Sequence, residues 1–314
     1  VPTLEALVGS RHTVVGVVTQ PDRPRGRGQQ VSFSPVKQVA LAHGLPVIQP
    51  DKLKDDAVHD TVRAWAPDLG VVAAYGKLIP ESLLTLPRLG MINVHASLLP
   101  RWRGAAPIHR AVIAGDAETG VTIMRVVKAL DAGGMFATVR RPIGPDDTSD
   151  AVEQDLATMG AALLVAVADR LADGSAMEIP QDPARVTYAA RLTKDEGLVD
   201  WSLPAPALHN RVRGLCPWPH AYTHLNGQRL ILLRSRVLDS PSDEAPGTVL
   251  DIARDGIDVA TGDHGRLRIE QVQPEGRRPM AAREWAVGRR VVAGARFAGP
   301  AAPDPITPPG GSSA

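Results

Sequence analysis

The first 130 residues alternate between short apolar segments and longer helical ones, and this alternation limits the possible folds more than any other feature. The short segments are rich in β-branched residues and are bounded by Gly, Pro or Asp, as strands commonly are. They comprise residues 14–19, 46–48, 69–73, 91–95 and 121–127. A helical pattern separates them, for example at residues 35–43. This order predicts an α/β domain with a mainly parallel sheet.

The character of the sequence changes after residue 174. An amphipathic helix is predicted at residues 149–172, because Asp147-Thr148-Ser149-Asp150 offers N-cap residues and Asp173-Gly174 follows as a stop. We therefore predict a catalytic domain at residues 1–174. Residues 175–193 have no strong periodicity and are predicted to be a linker.

Short strands separated by turns dominate the second half. One helix is predicted at residues 205–215, and strands are predicted at residues 229–237, 248–252, 256–260 and 266–271. The turns are Asn226-Gly227, Asp255-Gly256 and His264-Gly265. This pattern predicts a small antiparallel, OB-like β-barrel domain at residues 194–298. The remaining residues, 299–314, are rich in Pro, Gly and Ser and are predicted to be a disordered tail.

Composition narrows the functional classes. A chain of 314 residues with 44% hydrophobic residues is expected to form two domains. The sole cysteine, Cys216, excludes an intramolecular disulfide and a Cys-cluster zinc site. The apolar runs are shorter than the roughly 20 residues that span a bilayer, and no signal peptide pattern is present, so a cytoplasmic enzyme without membrane contact is expected. Because the formal net charge is only +1, any nucleic-acid contact must come from local basic patches.

Polar side chains end the apolar strand predicted at residues 91–95. Residues two apart in a strand project from the same face, so Asn93 and His95 are expected to point together. Burying either side chain without a partner would cost about 1–3 kcal/mol. Either residue alone is more often a satisfied core residue. The pair, followed by the loop at residues 97–107, predicts an active site.

Together with the downstream Leu130-Asp131-Ala132-Gly133, these residues resemble the folate-dependent formyltransferases. The resemblance covers nearly the whole chain. It is most specific at residues 101–107 and in the second half, where the chain resembles the family members that formylate methionyl initiator tRNA. It implies a Rossmann-like first domain, 10-formyltetrahydrofolate as co-substrate, no metal, and a monomer that binds this tRNA. Family members begin with a strand and a Gly-Thr-Pro turn ahead of the helix that here begins near Pro2, so the first domain is expected to lack that strand.

The resemblance also assigns a catalytic group of three residues, Asn93, His95 and Asp131. Formyl transfer to an amine develops negative charge on oxygen, which the Asn93 carboxamide can stabilise. Histidine titrates near neutral pH, so His95 can move protons while the Asp131 carboxylate holds its ring. Without the resemblance, Asp131 would be interpreted as a turn or N-cap residue. Many relatives have an acidic residue where Gly134 stands, and that carboxylate is missing here.

Binding residues follow from the same resemblance. The folate is expected at the carboxyl ends of the strands, against Ser97, Leu98, Leu99 and Pro100. Tyr75 and Gly76 are a second predicted wall, for which simple packing of the tyrosine is an equal alternative. The predicted tRNA contacts are Arg23, Arg25, Arg27 and Lys37 in one loop, and Arg277 and Arg278 in a stretch, residues 266–296, with eight Arg against three Glu.

Two other functions remain open. A formyltransferase acting on a small amine, such as a purine precursor or an amino sugar nucleotide, would share the three catalytic residues, but the second domain argues against it. A non-catalytic tRNA-binding relative would not need them, so their presence argues against that alternative.

Overall fold

A computed structural model of the chain describes residues 1–25 and 30–299. It divides into two compact units, Val1–Arg191 and Leu192–Ala314. The predicted tail, apart from Gly299, lies outside the described residues, as does Arg27.

Short strands and six α-helices make up the described part of the first unit. The helices are α1 (Pro2–Val8), α2 (Pro35–Ala42), α3 (Asp56–Trp65), α4 (Glu81–Leu84), α5 (Pro107–Ala114) and α6 (Ser149–Asp173). The strands are β1 (Val17–Val18), β2 (Arg23–Arg25), β3 (Gln30–Ser32), β4 (Val47–Ile48), β5 (Gly70–Ala73), β6 (Met91–His95), β7 (Arg103–Gly104), β8 (Glu118–Arg125), β9 (Met135–Pro142) and β10 (Tyr188–Ala189).

The predicted Rossmann-like arrangement is present, with an antiparallel edge. Strand β1 pairs with β4 in parallel, and β5 pairs with β6 in parallel. The larger sheet has the order β5-β6-β8-β9, in which β8 is antiparallel to β6 and β9 is antiparallel to β8. The connection from β8 to β9 contains no helix, and a short connection of this kind joins antiparallel strands.

Helix α6 covers one face of this sheet and packs closely against β6. Buried residues recur along the helix at Val152, Leu156, Leu164, Val167 and Leu171, the spacing of a core-facing stripe. An added Cβ at Gly160 would lie 3.0 Å from Cγ1 of Val94, so the glycine permits close packing on β6. Among the described residues, α6 is the one helix long and apolar enough to cross a bilayer, but it packs here as a core helix.

The segment predicted as a linker belongs largely to the first unit. Ile179 forms a backbone bridge with Met135, and β10 pairs in parallel with β7. The division between the units follows Arg191, near the end of the predicted linker. Backbone pairing at Ile179, Thr187 and β10 attaches this segment to the unit, and such pairing needs no hydrophobic periodicity.

The second unit is built on an antiparallel sheet. Its strands are β11 (Ala221–Leu225), β12 (Gln228–Leu238), β13 (Val249–Ala253), β14 (Gly256–Ala260), β15 (Arg266–Pro274) and β16 (Met280–Ala281), and its helices are α7 (Ala205–Gly214) and α8 (Ala282–Gly288). The order is β11-β12-β15-β14-β13, with β16 beside β15. The predicted antiparallel sheet is therefore confirmed. Within the described ranges no closed barrel is found, although Thr248 and His224 bridge to Arg296 and Ala298 in one segment.

Candidate active site

Strand β6 presents the two polar residues that the sequence singled out. Ile92 is fully buried and Val94 packs against the same core, so the alternate positions, Asn93 and His95, project from the opposite face. His95 lies opposite Thr122 of β8, and Asn93 lies opposite Met124. The structure thus places both side chains on one face at the carboxyl end of a central strand.

His95 is held in one orientation by a backbone carbonyl. The residue is 5% exposed, and its Nε2 lies 3.0 Å from the carbonyl oxygen of Trp102. Because a carbonyl only accepts, Nε2 must carry the proton and donate it. In the neutral ring Nδ1 is then the nitrogen that can accept a proton. It lies 3.7 Å from Oδ2 of Asp131, which faces the positive charge that protonation would create.

Two neighbouring groups, the Gly104 N–H and the Gln181 amide, hold Asp131 in place. Its backbone is in the left-handed region, with φ of 45°, and its Oδ2 accepts a hydrogen bond from the N–H of Gly104 at 2.9 Å. The Gln181 amide donates to the carbonyl oxygens of Asp131 and Gly133, both at 2.8 Å. An added Cβ at Gly133 would lie 2.0 Å from the Arg125 carbonyl oxygen, so this turn needs glycine.

Sequence reasoning did not assign roles to Trp102, Gly104 or Gln181. Trp102 and Gly104 lie in the loop that carried the resemblance, so the sequence marked the loop as functional but gave neither residue a role of its own. Gln181 lies in the predicted linker and carried no signal, since only the fold brings it to Asp131.

The Asn93 carboxamide is free to bind a ligand. It is half-buried, and among the residues that the structure describes no hydrogen-bond partner for it is found. A half-buried amide donor near an imidazole and a carboxylate can stabilise negative charge on an oxygen while a proton moves, which is what transfer of an acyl group requires.

Ser97 shapes the loop that follows β6. It is fully buried; its hydroxyl donates to the Arg101 carbonyl oxygen at 2.7 Å, and its own carbonyl accepts from the Thr122 hydroxyl at 2.7 Å. The same Thr122 oxygen accepts from the N–H of Leu99 at 3.2 Å. These bonds turn the hydroxyl of Ser97 into the protein interior, where it supports the loop.

The predicted folate-contacting run forms one wall of a cleft of about 450 Å³. Besides Leu98, Leu99 and Pro100, the lining comprises Arg101, Trp102, Asp116, Ala117, Glu118, Thr119, Arg140 and Arg185. Neither Asn93 nor His95 lines this cleft, so the loop separates it from the catalytic face.

Tyr75 packs against a small hydrophobic core in the first unit. Its ring packs against the small core of Leu53, Val58, Val62 and Leu83. Burial raises the pKa of the Tyr75 phenol, whose hydroxyl has no partner among the described residues. The neighbouring Gly76 has φ of 75°. The folate wall at Tyr75 and Gly76 stays a prediction.

Lys37 was predicted to contact tRNA but is paired inside the first unit. Its side chain is 15% exposed, and its ammonium group binds Asp22, lies 2.6 Å from Oε1 of Gln49, and sits 4.0 Å from the centre of the Phe33 ring. These contacts occupy the Lys37 ammonium group, and its contact with tRNA stays a prediction. Arg23 and Arg25 lie on β2, one strand of a hairpin with β3.

This pairing predicts a pH-dependent stability. A hydrogen bond from Lys37, and to a smaller extent one from Gln49, holds the pKa of the Asp22 carboxyl below its ordinary value. A carboxyl with a depressed folded pKa stabilises the fold above its unfolded pKa, and the effect is lost as the pH falls through the folded value. We expect Asp22→Asn to lower Tm at pH 7, and the difference from the native chain to shrink below about pH 4. Thermal unfolding from pH 7 to 3 measures this. Lys37→Met should show the same trend, and a pH-independent difference would contradict it.

Arg277 and Arg278 lie in the exposed turn between β15 and β16. Within the described ranges neither side chain has a hydrogen-bond or ion-pair partner. Arg234 and Arg236, by contrast, both bind Glu270. The turn therefore offers uncompensated positive charge, as the prediction requires.

Among the described residues, no group of three or more His, Cys, Asp or Glu could hold a metal ion.

Comparison with known proteins identifies the family. Residues 3–168 match the model described as "Formyl transferase", and residues 191–290 match "Formyl transferase, C-terminal domain". Methionyl-tRNA formyltransferase of Symbiobacterium thermophilum is 47% identical over 98% of this chain and 95% of its own. That of Methylococcus capsulatus is 47% identical over 95% of this chain and 96% of its own.

Solved structures agree at the level of the fold. The sugar 3N-formyl transferase WlaRD, crystallised with dTDP and 5-N-formyl-THF, superposes with a TM-score of 0.65 at 13% identity, over 88% of this chain and 94% of that one. The N-formyltransferase from Helicobacter canadensis gives a TM-score of 0.63 at 14% identity, over 85% and 94%. With both domain models matched and close relatives aligned over nearly the full length, the chain belongs to the formyl transferase family and groups within it with the methionyl-tRNA formyltransferases.

Proposed function

We propose that this chain transfers the formyl group of 10-formyltetrahydrofolate to the α-amino group of methionyl initiator tRNA, for the initiation of translation in the cytoplasm. The observation that carries the proposal is the 47% identity to a protein of that name over 98% of the chain, the second unit included.

The residues present fit a folate co-substrate. At the reacting end, the Asn93 carboxamide is an amide donor without a partner in the described part of the chain, and it lies on the same face of β6 as His95. The other proposed folate contacts are those that the family resemblance implies, Ser97, Leu98, Leu99, Pro100, Tyr75 and Gly76. When bound, 10-formyltetrahydrofolate supplies the formyl group.

Residues of the chain stabilise the charge that develops during formyl transfer and move the protons. An α-amino group has a reference pKa of about 7.7–8.0, so much of the substrate amine is already neutral near pH 7.5. Asn93 donates a hydrogen bond to the formyl oxygen as negative charge develops there. His95 accepts the amine proton at Nδ1 and returns it to the leaving nitrogen, while Asp131 faces the ring during the time that it is charged.

We assign tRNA binding mainly to the predicted domain at residues 194–298, which lies within the second unit. The enzyme is proposed to act as a monomer. Support comes from Arg277 and Arg278, which are exposed and unpaired among the described residues, and from the approach of both sheet edges to residues 296–298, which would complete an OB-like barrel. In the first unit, Arg23, Arg25, Arg27 and Lys37 remain proposed contacts.

The direct test is transfer from 10-formyltetrahydrofolate to methionyl initiator tRNA, run in parallel with phosphoribosylglycinamide and a dTDP-amino sugar as acceptors. Formylation of the tRNA alone is the expected result. Formylation of a small amine alone would reassign the substrate. Tight tRNA binding without transfer to any acceptor would indicate the non-catalytic alternative.

The charge of the β15–β16 turn gives a separate prediction. We expect Arg277→Ala/Arg278→Ala to raise the KM for tRNA with little change in kcat, because the turn contacts phosphates and not the reacting atoms. The slope of log K against log salt should fall by about one for each phosphate that the variant no longer binds.

A matched control is Arg234→Ala, which removes an arginine of the same sheet that is already paired with Glu270. It should leave both KM and the salt slope close to their native values. Equal effects in the two variants would mean that general charge, not this turn, governs tRNA affinity.

A further inference from the structure

We infer that Asp116 is a positioning residue for His95 and acts through Trp102. The inference rests on the proposed catalytic role of His95. Trp102 lies between the two residues, since its carbonyl oxygen accepts the His95 Nε2 proton and its indole faces Asp116.

Trp102 holds its carbonyl in place with a strained backbone. Its φ is 64°, a left-handed conformation that is unfavourable for a residue with a Cβ atom. A bulky residue keeps such a conformation only when its surroundings enforce it. The direction of the carbonyl, and with it the protonated nitrogen of His95, therefore depends on what binds the rest of Trp102.

Asp116 is the centre of those contacts. The indole Nε1–H donates to its Oδ2 at 2.8 Å, and the Arg101 guanidinium binds both of its carboxylate oxygens, at 2.9 and 2.7 Å. The Arg101 guanidinium lies 4.4 Å from the centre of the Trp102 ring, over its face. The Asp116 carboxylate therefore binds the edge of the indole directly and supports its face through Arg101. The N–H of Trp102 also donates to the Thr187 hydroxyl at 2.9 Å.

The end of helix α5 fixes the position of the Asp116 carboxylate. Asp116 follows the C-cap of α5, Gly115, and its N–H donates to the Ala111 carbonyl oxygen at 3.1 Å. Ala111 is fully buried. Its position is thus set by a helix end in the core, and the Arg101–Asp116 pair also keeps the pKa of Arg101 above its ordinary value.

The first test uses the protein without substrates. Protonated and unprotonated ring nitrogens differ in 15N chemical shift, so histidine-labelled protein reports the tautomer of His95, assigned by its absence in His95→Gln. In the native chain, above the pH at which the ring is charged, we expect the Nε2-protonated form. Asp116→Ala should add a visible fraction of the Nδ1-protonated form, and Asp116→Asn, which can still accept from the indole, should add less.

Kinetics provide the second reading. Asp116→Ala should lower kcat for formyl transfer by roughly ten- to a hundredfold, the scale on which small misplacements act, with KM values unchanged. The control is Asp68→Ala, which removes the partner of Arg88, an exposed ion pair in the same unit. It should alter neither the tautomer nor kcat.

The outcomes separate this inference from the proposed function. If the tautomer of His95 is the same in Asp116→Ala as in the native chain while the variant stays folded, the positioning role is wrong even when transfer is slow. If the tautomer shifts but the native chain formylates nothing, the positioning stands as structure and the proposed function fails.

Discussion

His95→Ala is expected to lower kcat for formyl transfer by about 10²- to 10⁴-fold, the usual contribution of a positioned acid–base group. The structure gives the reason: the ring is 5% exposed, Nε2 is committed to the Trp102 carbonyl, and Nδ1 alone is left to exchange a proton beside Asp131. Affinity for tRNA should not change, because the basic turn lies elsewhere in the chain. Steady-state kinetics combined with a tRNA binding titration measure both quantities.

His95→Gln makes this prediction sharper. A glutamine amide can still donate to the Trp102 carbonyl, but it cannot take up a proton at neutral pH. If proton transfer is the role of His95, the glutamine variant should be about as slow as the alanine variant. Near-native kcat in His95→Gln would show that the ring only supports the loop.

Asn93→Ala is expected to lower kcat by about 10²- to 10³-fold, which corresponds to the roughly 2.7–4 kcal/mol measured for the loss of one oxyanion donor. Its carboxamide is half-buried beside His95 and has no partner within the described part of the chain, so its hydrogen bonds are available to a substrate oxygen. Because that donor is most valuable when charge has developed, KM for either substrate should change little.

Asn93→Asp is the matched variant, of nearly the same shape but without a donor when ionised. It should be at least as slow as Asn93→Ala, since a carboxylate would repel the developing charge. Thermal unfolding of both variants should stay close to that of the native chain. A large loss of stability, or kcat within a factor of a few of the native value, would contradict the assigned role.

Most of the secondary structure could be predicted from local pattern. The strands at residues 91–95 and 256–260 have the predicted bounds, and α7 and α6 end within two residues of theirs. These segments have strong periodicity or turn residues at both ends, so short-range chemistry determines them. The predicted edges of the first strand were too wide, because only Val17 and Val18 find a partner strand.

Local pattern predicted part of the candidate site as well. Alternation along β6 was enough to put Asn93 and His95 on one face, and the resemblance added Asp131. For Lys37 and Tyr75 the structure shows contacts that no local pattern indicated. Their partners, Asp22 with Gln49 and the core around Leu53, are set by packing.

By itself the sequence determined the two-domain α/β and antiparallel organisation, the family, and which strand ends in the reactive pair, since all of these depend on local periodicity and contiguous motifs. The tertiary structure decided how the pair is held. The carbonyl of Trp102 that orients His95, the Gly104 N–H and Gln181 amide that fix Asp131, and the carboxylate of Asp116 come from separate segments. Hydrogen bonds between distant segments depend on angles that no local pattern encodes, and only the packed fold brings these groups within reach of one another.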